Sequence, residues 1–494
     1  MPIETPDWVR DAVFYEIFPD RFARSARLMP IGPLEPWDAP PTTYGFKGGD
    51  LFGVAERLGE LADLGVTALY LTPVFSSASN HRYHAYDYLR VDPLLGGDDA
   101  LRELLDRAHE RGMRVILDGV FNHCGRGFWP FHHVLENGSA SPYRDWFHLD
   151  PAVQSGSASL NAYPDRGAPS DTPLGYRAWW GLPALPKFNV DNPPTREYLL
   201  GVAEHWLRFG IDGWRLDVPG EIDDRAFWQE FRRRCRAINR DAYLVGELWD
   251  EAPDWLEGDR FDAQMNYPLG TAILGFVGGN HLDQNVIRRH DSYRRMLHPL
   301  DGPAFATRLK ALMSNYDPAV VAVQLNLIGS HDAPRALTVL GGDRTALRLA
   351  MVLQLTLPGA PCIYYGDEIG LDGDHDPDNR RAYPADSNAG DLGLRAFVQT
   401  LLTARHEQRA LRRGSVRVLS ASGGGVAYLR EADGQKAIVA VNAGPGRSTL
   451  ALPMTDGDAY RALVLPGLPD GSQWAGSVEL PPETALVLVG AGSV

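Results

Sequence analysis

The strongest constraint on this chain is an alternation. From residue 11 to about residue 408, short apolar runs rich in β-branched and aromatic residues take turns with segments of helical period. "DAVFYEIFPDRF" (11–22) reads as a strand. In "GVAERLGELADLG", Val54, Leu58, Leu61 and Leu64 fall on one helical face, and Gly65 supplies the stop. "VTALYLTPVF" is the second strand. "DDALRELLDRAHERG" follows as a helix capped by Asp98 or Asp99 and stopped at Gly112. "MRVILDGVFNH", "IDGWRLDV", "AYLVGELW", "FDAQMNYP", "VAVQLNLIGSHD" and "APCIYYGDEIG" are the remaining six strands. Helices fill the intervals, among them one with Leu199, Val202, Trp206 and Phe209 on one side. Another, "FRRRCRAINR", carries a basic face expected to be solvated on the barrel exterior. Such a series demands a parallel sheet with both faces covered. Eight repeats favour a closed (β/α)8 TIM barrel over an open doubly wound sheet.

Two stretches break the series. Between "FNH" (121–123) and "LPKFN" (185–189), about 60 residues rich in Gly, Pro, Ser and aromatics form a connection too long for a plain loop. A lid subdomain is expected there. After residue 408 helical periodicity stops, and "VRVLSASGGGVAYLREADGQKAIVAVNAG" shows short strands with Gly/Asp turns. The expected division is a barrel over 1–123 and 186–408, an inserted lid over 124–185, and a C-terminal all-β sandwich over 409–494.

Inside a strand, residues two apart point to the same face. In "GWRLDV", Gly213, Arg215 and Asp217 therefore share one side, while Trp214, Leu216 and Val218 share the other. Other strands also finish on polar groups: Asp118, Asn122 and His123 on the third, Glu247 on the fifth, His331 and Asp332 on the seventh. Groups at the C-terminal ends of barrel strands meet at one mouth, where this architecture places its chemistry. A structural ion-pair network explains one such residue but not four strands ending this way, because buried carboxylates are costly without a task. Two carboxylates flanking one bond suit glycoside hydrolysis, one as nucleophile and the other as acid and then base. Arg215 is expected to depress Asp217 and keep it ionised, and Glu247 is expected to be raised and to start protonated. Asp332 adds a third negative group for an oxocarbenium-like transition state.

Bulk properties agree with a neutral substrate. The formal charge of -15 argues against nucleic acid and anionic membranes as partners. No run approaches the ~20 apolar residues of a membrane span, and the start lacks the pattern of a signal peptide. A cytoplasmic location is expected. The three cysteines form no CxxC pair, so neither a disulfide framework nor a cysteine zinc site is expected.

The ordered blocks "DGVFNH" (118–123), "GWRLDV" (213–218), "GELW" (246–249) and "LIGSHD" (327–332) resemble those of the α-amylase family, glycoside hydrolase family 13. The resemblance spans nearly the whole chain. It implies Asp217 as nucleophile, Glu247 as general acid/base and Asp332 as transition-state stabiliser. It also implies Asp118, His123, Arg215 and His331 as groups around the −1 sugar, with Tyr83 of "SNHRYHAYDY" stacking on that sugar. "LPKFN" and "DPDNRRAYP" resemble the neopullulanase, cyclomaltodextrinase and maltogenic amylase branch. There Asp376 and Arg380 match residues that hold the −2 sugar, and Trp249 falls where that branch has an aromatic near the acceptor subsites.

Departures from the branch are expected to matter. Strand one begins near residue 11, so the branch's N-terminal β domain is expected to be absent, which leaves the oligomeric state open and a monomer allowed. His84 stands where relatives have aspartate. "VPGEI" replaces "VANEV", keeping Glu221 but setting Pro219 and Gly220 beside the nucleophile strand. Asn122 matches a calcium ligand of many amylases, but the lid ligands that site needs are not identifiable. No cofactor is required, no metal ligand set is assigned, and calcium is left open. Of the lid aromatics, one or two are expected to meet substrate. The expected activity is retaining hydrolysis of α-1,4 links in maltooligosaccharides, cyclodextrins or pullulan, with transglycosylation and some α-1,6 cleavage. The alternatives are a glucanotransferase or trehalose-forming isomerase on the same scaffold, and a non-catalytic binding member, which the presence of all three carboxylates disfavours.

Overall fold

The computed structural model describes residues 2–165, 167–386, 389–452, 460–463 and 476–490. Eight short parallel strands form the central sheet: β1 Phe14–Ile17, β2 Ala68–Leu71, β3 Arg114–Gly119, β4 Gly213–Leu216, β5 Tyr243–Gly246, β6 Ala263–Gln264, β7 Leu325–Asn326 and β8 Ala360–Tyr364. Their order is β6-β5-β4-β3-β2-β1-β8-β7, and a parallel bridge between Met265 and Leu325 joins the two ends into a barrel.

The strand alternation sorts the core into two parts. Phe14, Ala68, Tyr70, Ile116, Tyr243, Val245, Ala263, Met265, Leu325, Ala360 and Cys362 pack together as the barrel interior. Their neighbours Tyr15, Ile17, Leu69, Leu71, Val115, Leu117, Trp214, Leu216 and Leu244 belong to the other cluster, under the helices. Because both faces are apolar, the strands read as continuous apolar runs. Main covering helices are α1 Leu58–Leu64, α2 Gly97–Glu110, α3 Pro193–Phe209, α4 Arg225–Ile238, α5 Tyr267–Gly278, α6 Gly302–Ser314, α7 Arg344–Thr356 and α8 Leu392–Glu407. Gly65 and Gly210 end α1 and α3 at φ 107° and 118°, a left-handed turn that favours glycine.

The structure departs from the sequence reading in four places. The first helical run is broken at Arg57 into Leu51–Glu56 and α1. Gly96, not Asp98 or Asp99, occupies the cap position of α2, and the two aspartates lie in its first turn, where carboxylates complement the helix dipole. No α-helix separates β5 from β6; a single 3-10 turn at Pro253–Trp255 lies there instead. The basic face of α4 is not merely solvated, since Arg232 and Arg236 both bind the buried Asp262.

After β3 the chain leaves the barrel and returns only at α3. This excursion carries a helix, Trp129–Asn137, and is tied to its own base by isolated bridges His123–Lys187, Phe147–Phe188, Leu149–Tyr176 and Ala178–Pro186. Beyond α8 lie β9 Ser415–Ser422, β10 Gly425–Ala432, β11 Gln435–Asn442, β12 Ser448–Leu452, β13 Tyr460–Leu463, β14 Gly476–Leu480 and β15 Thr484–Gly490. Five of them form an antiparallel sheet in the order β9-β10-β11-β15-β13, and β12 pairs with β14. Val426, Tyr428, Val439, Val441, Val487 and Val489 face the barrel cluster. The alternate residues Ala427, Leu429, Ile438, Ala440, Leu486 and Leu488 pack against Leu450, Leu452, Val478 and Leu480 of the two-stranded sheet. This portion is thus a second layered core, pinned to the barrel by one face. Residues 453–459, 464–475 and 491–494 of the expected sandwich lie outside the described residues. No described helix is long and apolar enough to cross a membrane.

Candidate active site

The inward ladder of each strand continues past its last apolar rung into a polar one. Glu16 lies two residues beyond Phe14, Asp118 two beyond Ile116, Arg215 and Asp217 two and four beyond Gly213, and Glu247 two beyond Val245. Register sets Asp118 of β3 beside Arg215 of β4. One Arg215 nitrogen donates to both Asp118 oxygens at 2.8 Å and to Asp217 Oδ1 at 3.1 Å. The other lies 2.9 Å from Glu247 Oε2 and 3.7 Å from Asp332 Oδ2. Four carboxylates thus share one fully buried guanidinium. Tyr70 and Tyr83 donate to Asp118 Oδ2 at 2.7 and 2.8 Å, so Asp118 is a fully engaged support.

Glu247 Oε2 accepts the Val218 N–H at 3.0 Å, and its Oε1 accepts the Trp249 indole N–H at 3.1 Å. Val218 sits at φ 34°, a left-handed conformation rare for a β-branched residue, and it turns its N–H from the end of β4 toward Glu247. Asp217 Oδ2 is buried with no partner. On the far wall His331 is held between two carboxylates, Nδ1 at 2.6 Å from Glu16 Oε1 and Nε2 at 2.9 Å from Asp332 Oδ2. Tyr83 hydroxyl also meets His331 Nε2, and the two rings stack at 5.6 Å and 13°. Arg380 reaches Asp332 at 3.3 Å and Asp376 at 2.9 Å, and its Nε donates to the His331 carbonyl.

The electrostatics correct one expectation. Burial pushes the Asp217 carboxyl well above the usual range against the pull of Arg215, and Glu247, Asp118 and Asp332 add to the rise. Arg215 does pull Asp217 down, as expected, but burial outweighs that pull, so the carboxyl is not held low. Burial also raises Glu247, in line with expectation, again opposed by Arg215. Asp217 and Glu247 therefore compete for the same proton. Asp332 goes the other way: burial is overcome by His331, Arg380 and Arg215, and its carboxyl is held low. His331 is raised to about 10, burial being outweighed by Asp332 and Glu16. His123 is lowered to about 3 by burial and His84 and so stays neutral, and its Nε2 has no partner.

Asp118, Arg215, Asp217, Glu247, His331, Asp332, Tyr83 and Arg380 are linked in one network, which Trp249 joins through Glu247. His123 stands apart from that network and stacks on Trp179, and the half-exposed Asp376 pairs with Arg380. Trp249 stacks on Tyr267 at 3.7 Å, meets the His290 ring at 5.3 Å and 42°, and turns its N–H to Glu247. The sequence reading missed Glu16 and Tyr70. Both sit two residues past an inward apolar residue, so the alternation that singled out Arg215 could have found them. Asn122 Oδ1 is buried and unpartnered. Among the described residues, the one grouping of three His, Cys, Asp or Glu side chains close enough to share an ion is His281, Asp343 and Glu483.

The chain spans 74% of the length of a 44% identical cyclomaltodextrinase from Bacillus sp, which matches 89% of this chain, and about two thirds of other curated relatives. Two solved structures cover it nearly end to end. Ttha1563 from Thermus thermophilus is 46% identical with a TM-score of 0.85, matching 98% of this chain and 100% of its own. The debranching enzyme from Nostoc punctiforme is 41% identical with a TM-score of 0.87, matching 99% and 100%. The family model for the α-amylase catalytic domain matches residues 16–410, from Glu16 at the first strand through Arg380, and by that match and this barrel the chain belongs to the α-amylase family.

Proposed function

We propose that the chain is a retaining α-glucan hydrolase of α-1,4 links in maltooligosaccharides, cyclodextrins or pullulan. The observation that carries this reading is the single guanidinium of Arg215 touching both Asp217 and Glu247 at the barrel mouth. Two carboxylates on one guanidinium lie within reach of a single glycosidic bond, the arrangement that two-carboxylate hydrolysis needs. Asp217 attacks the anomeric carbon as Glu247 gives its proton to the glycosidic oxygen, and the leaving chain departs. Glu247, now a carboxylate, takes a proton from water. That water attacks the same carbon, and Asp217 is released as a carboxylate. Because the two groups compete for one proton, the productive state has Glu247 protonated and Asp217 ionised. Asp332, held ionised by His331, Arg380 and Arg215, stabilises the positive charge that develops on the sugar.

Tyr83, His123 and His331 surround the −1 sugar in this reading, with Arg380 and Asp376 beyond it and Trp249 toward the leaving side. A sugar hydroxyl replacing water gives transglycosylation. The barrel, lid and C-terminal portions divide as 1–123 with 186–408, 124–185 and 409–494, and the location is cytoplasmic. A second reading, preference for α-1,6 links, draws support from the end-to-end likeness to the Nostoc debranching enzyme. Resolved products from cyclodextrins, pullulan, starch and maltotriose test both. Maltotriose is expected to give glucose and maltose; longer chains or trehalose in their place sink the hydrolase reading. On pullulan, panose marks α-1,4 cleavage and maltotriose marks α-1,6.

A further inference from the structure

Three aromatic rings form a continuous column from the barrel mouth to solvent. The His123 ring stacks on Trp179 at 4.9 Å and 9°, and Trp179 stacks on Trp180 at 4.6 Å and 15°. His123 is fully buried, Trp179 is half-buried and Trp180 is 78% exposed. An indole left this open in water forgoes the burial that usually places tryptophan. The backbone does not relax to cover it. Trp180 is held at φ 51°, next to Gly181 at φ 68°, in a left-handed conformation uncommon for a non-glycine residue. The turn that holds it, Trp179–Gly181, is braced by the Ala178–Pro186 bridge and by the Trp179 N–H on the Leu185 carbonyl.

A flat aromatic face held open to water matches the apolar face of a pyranose, the ligand class of the barrel mouth in the reading above.

We propose that Trp180 is a stacking platform for a glucose unit of an extended α-glucan, at a distance from the −1 sugar, and that the Trp179–Trp180 turn selects for chain length. The proposal rests on the α-glucan reading above. The outer Trp180 face takes the apolar face of a ring, while Trp179 passes rigidity from His123 to the exposed indole. Short oligosaccharides fill the mouth without reaching it. Among the exposed aromatics, Trp129 provides the contrast: it is 62% exposed, its one ring contact among the described residues is His133, edge-on, and it sits in ordinary helix.

The test uses the full chain carrying Glu247→Gln, so that ligands bind without being cleaved, and reads calorimetry and tryptophan fluorescence. Maltoheptaose affinity is expected to fall about tenfold on adding Trp180→Ala, with loss of a fluorescence change, while maltotriose affinity moves less than twofold. Trp180→Tyr should recover most of the loss, and Trp129→Ala should lose nothing. Equal losses for maltoheptaose and maltotriose, or no loss for either, overturn the platform and leave the glucan reading standing. Failure of both sugars to bind the protein with Trp180 intact overturns the glucan reading and the platform with it. Circular dichroism on each variant separates loss of binding from loss of fold.

Discussion

Glu16→Gln isolates one charge in the site. Glu16 Oε1 accepts both the His331 backbone N–H at 3.0 Å and the Nδ1 proton at 2.6 Å. A glutamine oxygen can accept both bonds, so the substitution removes the charge and little else. His331 stands at about 10 against 6.5 unperturbed, with Asp332 the larger attraction and Glu16 the next, both overcoming burial. Tyr83, Tyr70, Arg380 and Arg215 complete the charged and titratable surroundings, directly or through Asp332. Loss of an adjacent opposite charge moves a pKa by about 1–3 units, which takes His331 to near 8. A raised histidine stabilises the fold fully below its unfolded pKa, and that contribution is lost as pH rises through the folded value. Two units are worth about 3 kcal/mol. The variant is therefore expected to be less stable than the parent by about 3 kcal/mol near pH 6, with the gap closing toward zero by about pH 10. Urea unfolding at pH 6, 8 and 9.5 reads the gap. The basic limb of kcat/KM should move down by the same two units, since deprotonation of His331 removes the positive charge facing Asp332 and one of the two ring N–H donors. A gap independent of pH, or superimposable rate profiles, refutes the reasoning.

Asp217→Asn should lower kcat by about 10^4-fold or more while the protein still binds maltoheptaose. Its thermal stability should not fall, because burial and neighbouring carboxylates already disfavour the charge it removes; unchanged turnover overturns the nucleophile assignment. Arg430→Met strips a buried cation from the Thr356, Gly414 and Ser415 carbonyls, where it joins the end of α7 to β9 and β10. With the buried Thr356 and Gly414 carbonyls left without this donor, a loss of about 3 kcal/mol is expected from thermal unfolding, and a loss under about 1 kcal/mol refutes the clamp.

Strand alternation made the barrel and the polar mouth legible, because a parallel strand covered on both faces has to be apolar throughout, and any charge within it stands out. That is how Arg215 and Asp217 were found from spacing alone. The same rule applied to "FYEI" reaches Glu16, but one glutamate in a short apolar run has no visible partner until Asp332 and His331 arrive from a strand more than three hundred residues away. The broken first helix and the missing helix before β6 were not legible either, since helical period over one or two turns does not fix where tertiary contacts interrupt it. The proton balance lay furthest beyond reach. The sequence determined which ionisable groups meet and on which face, through a period of two and the order of the strands. Only the tertiary structure decided how one guanidinium is shared among four carboxylates, and whether burial or that shared charge prevails at each, because those energies depend on distances between strands that are far apart in the chain.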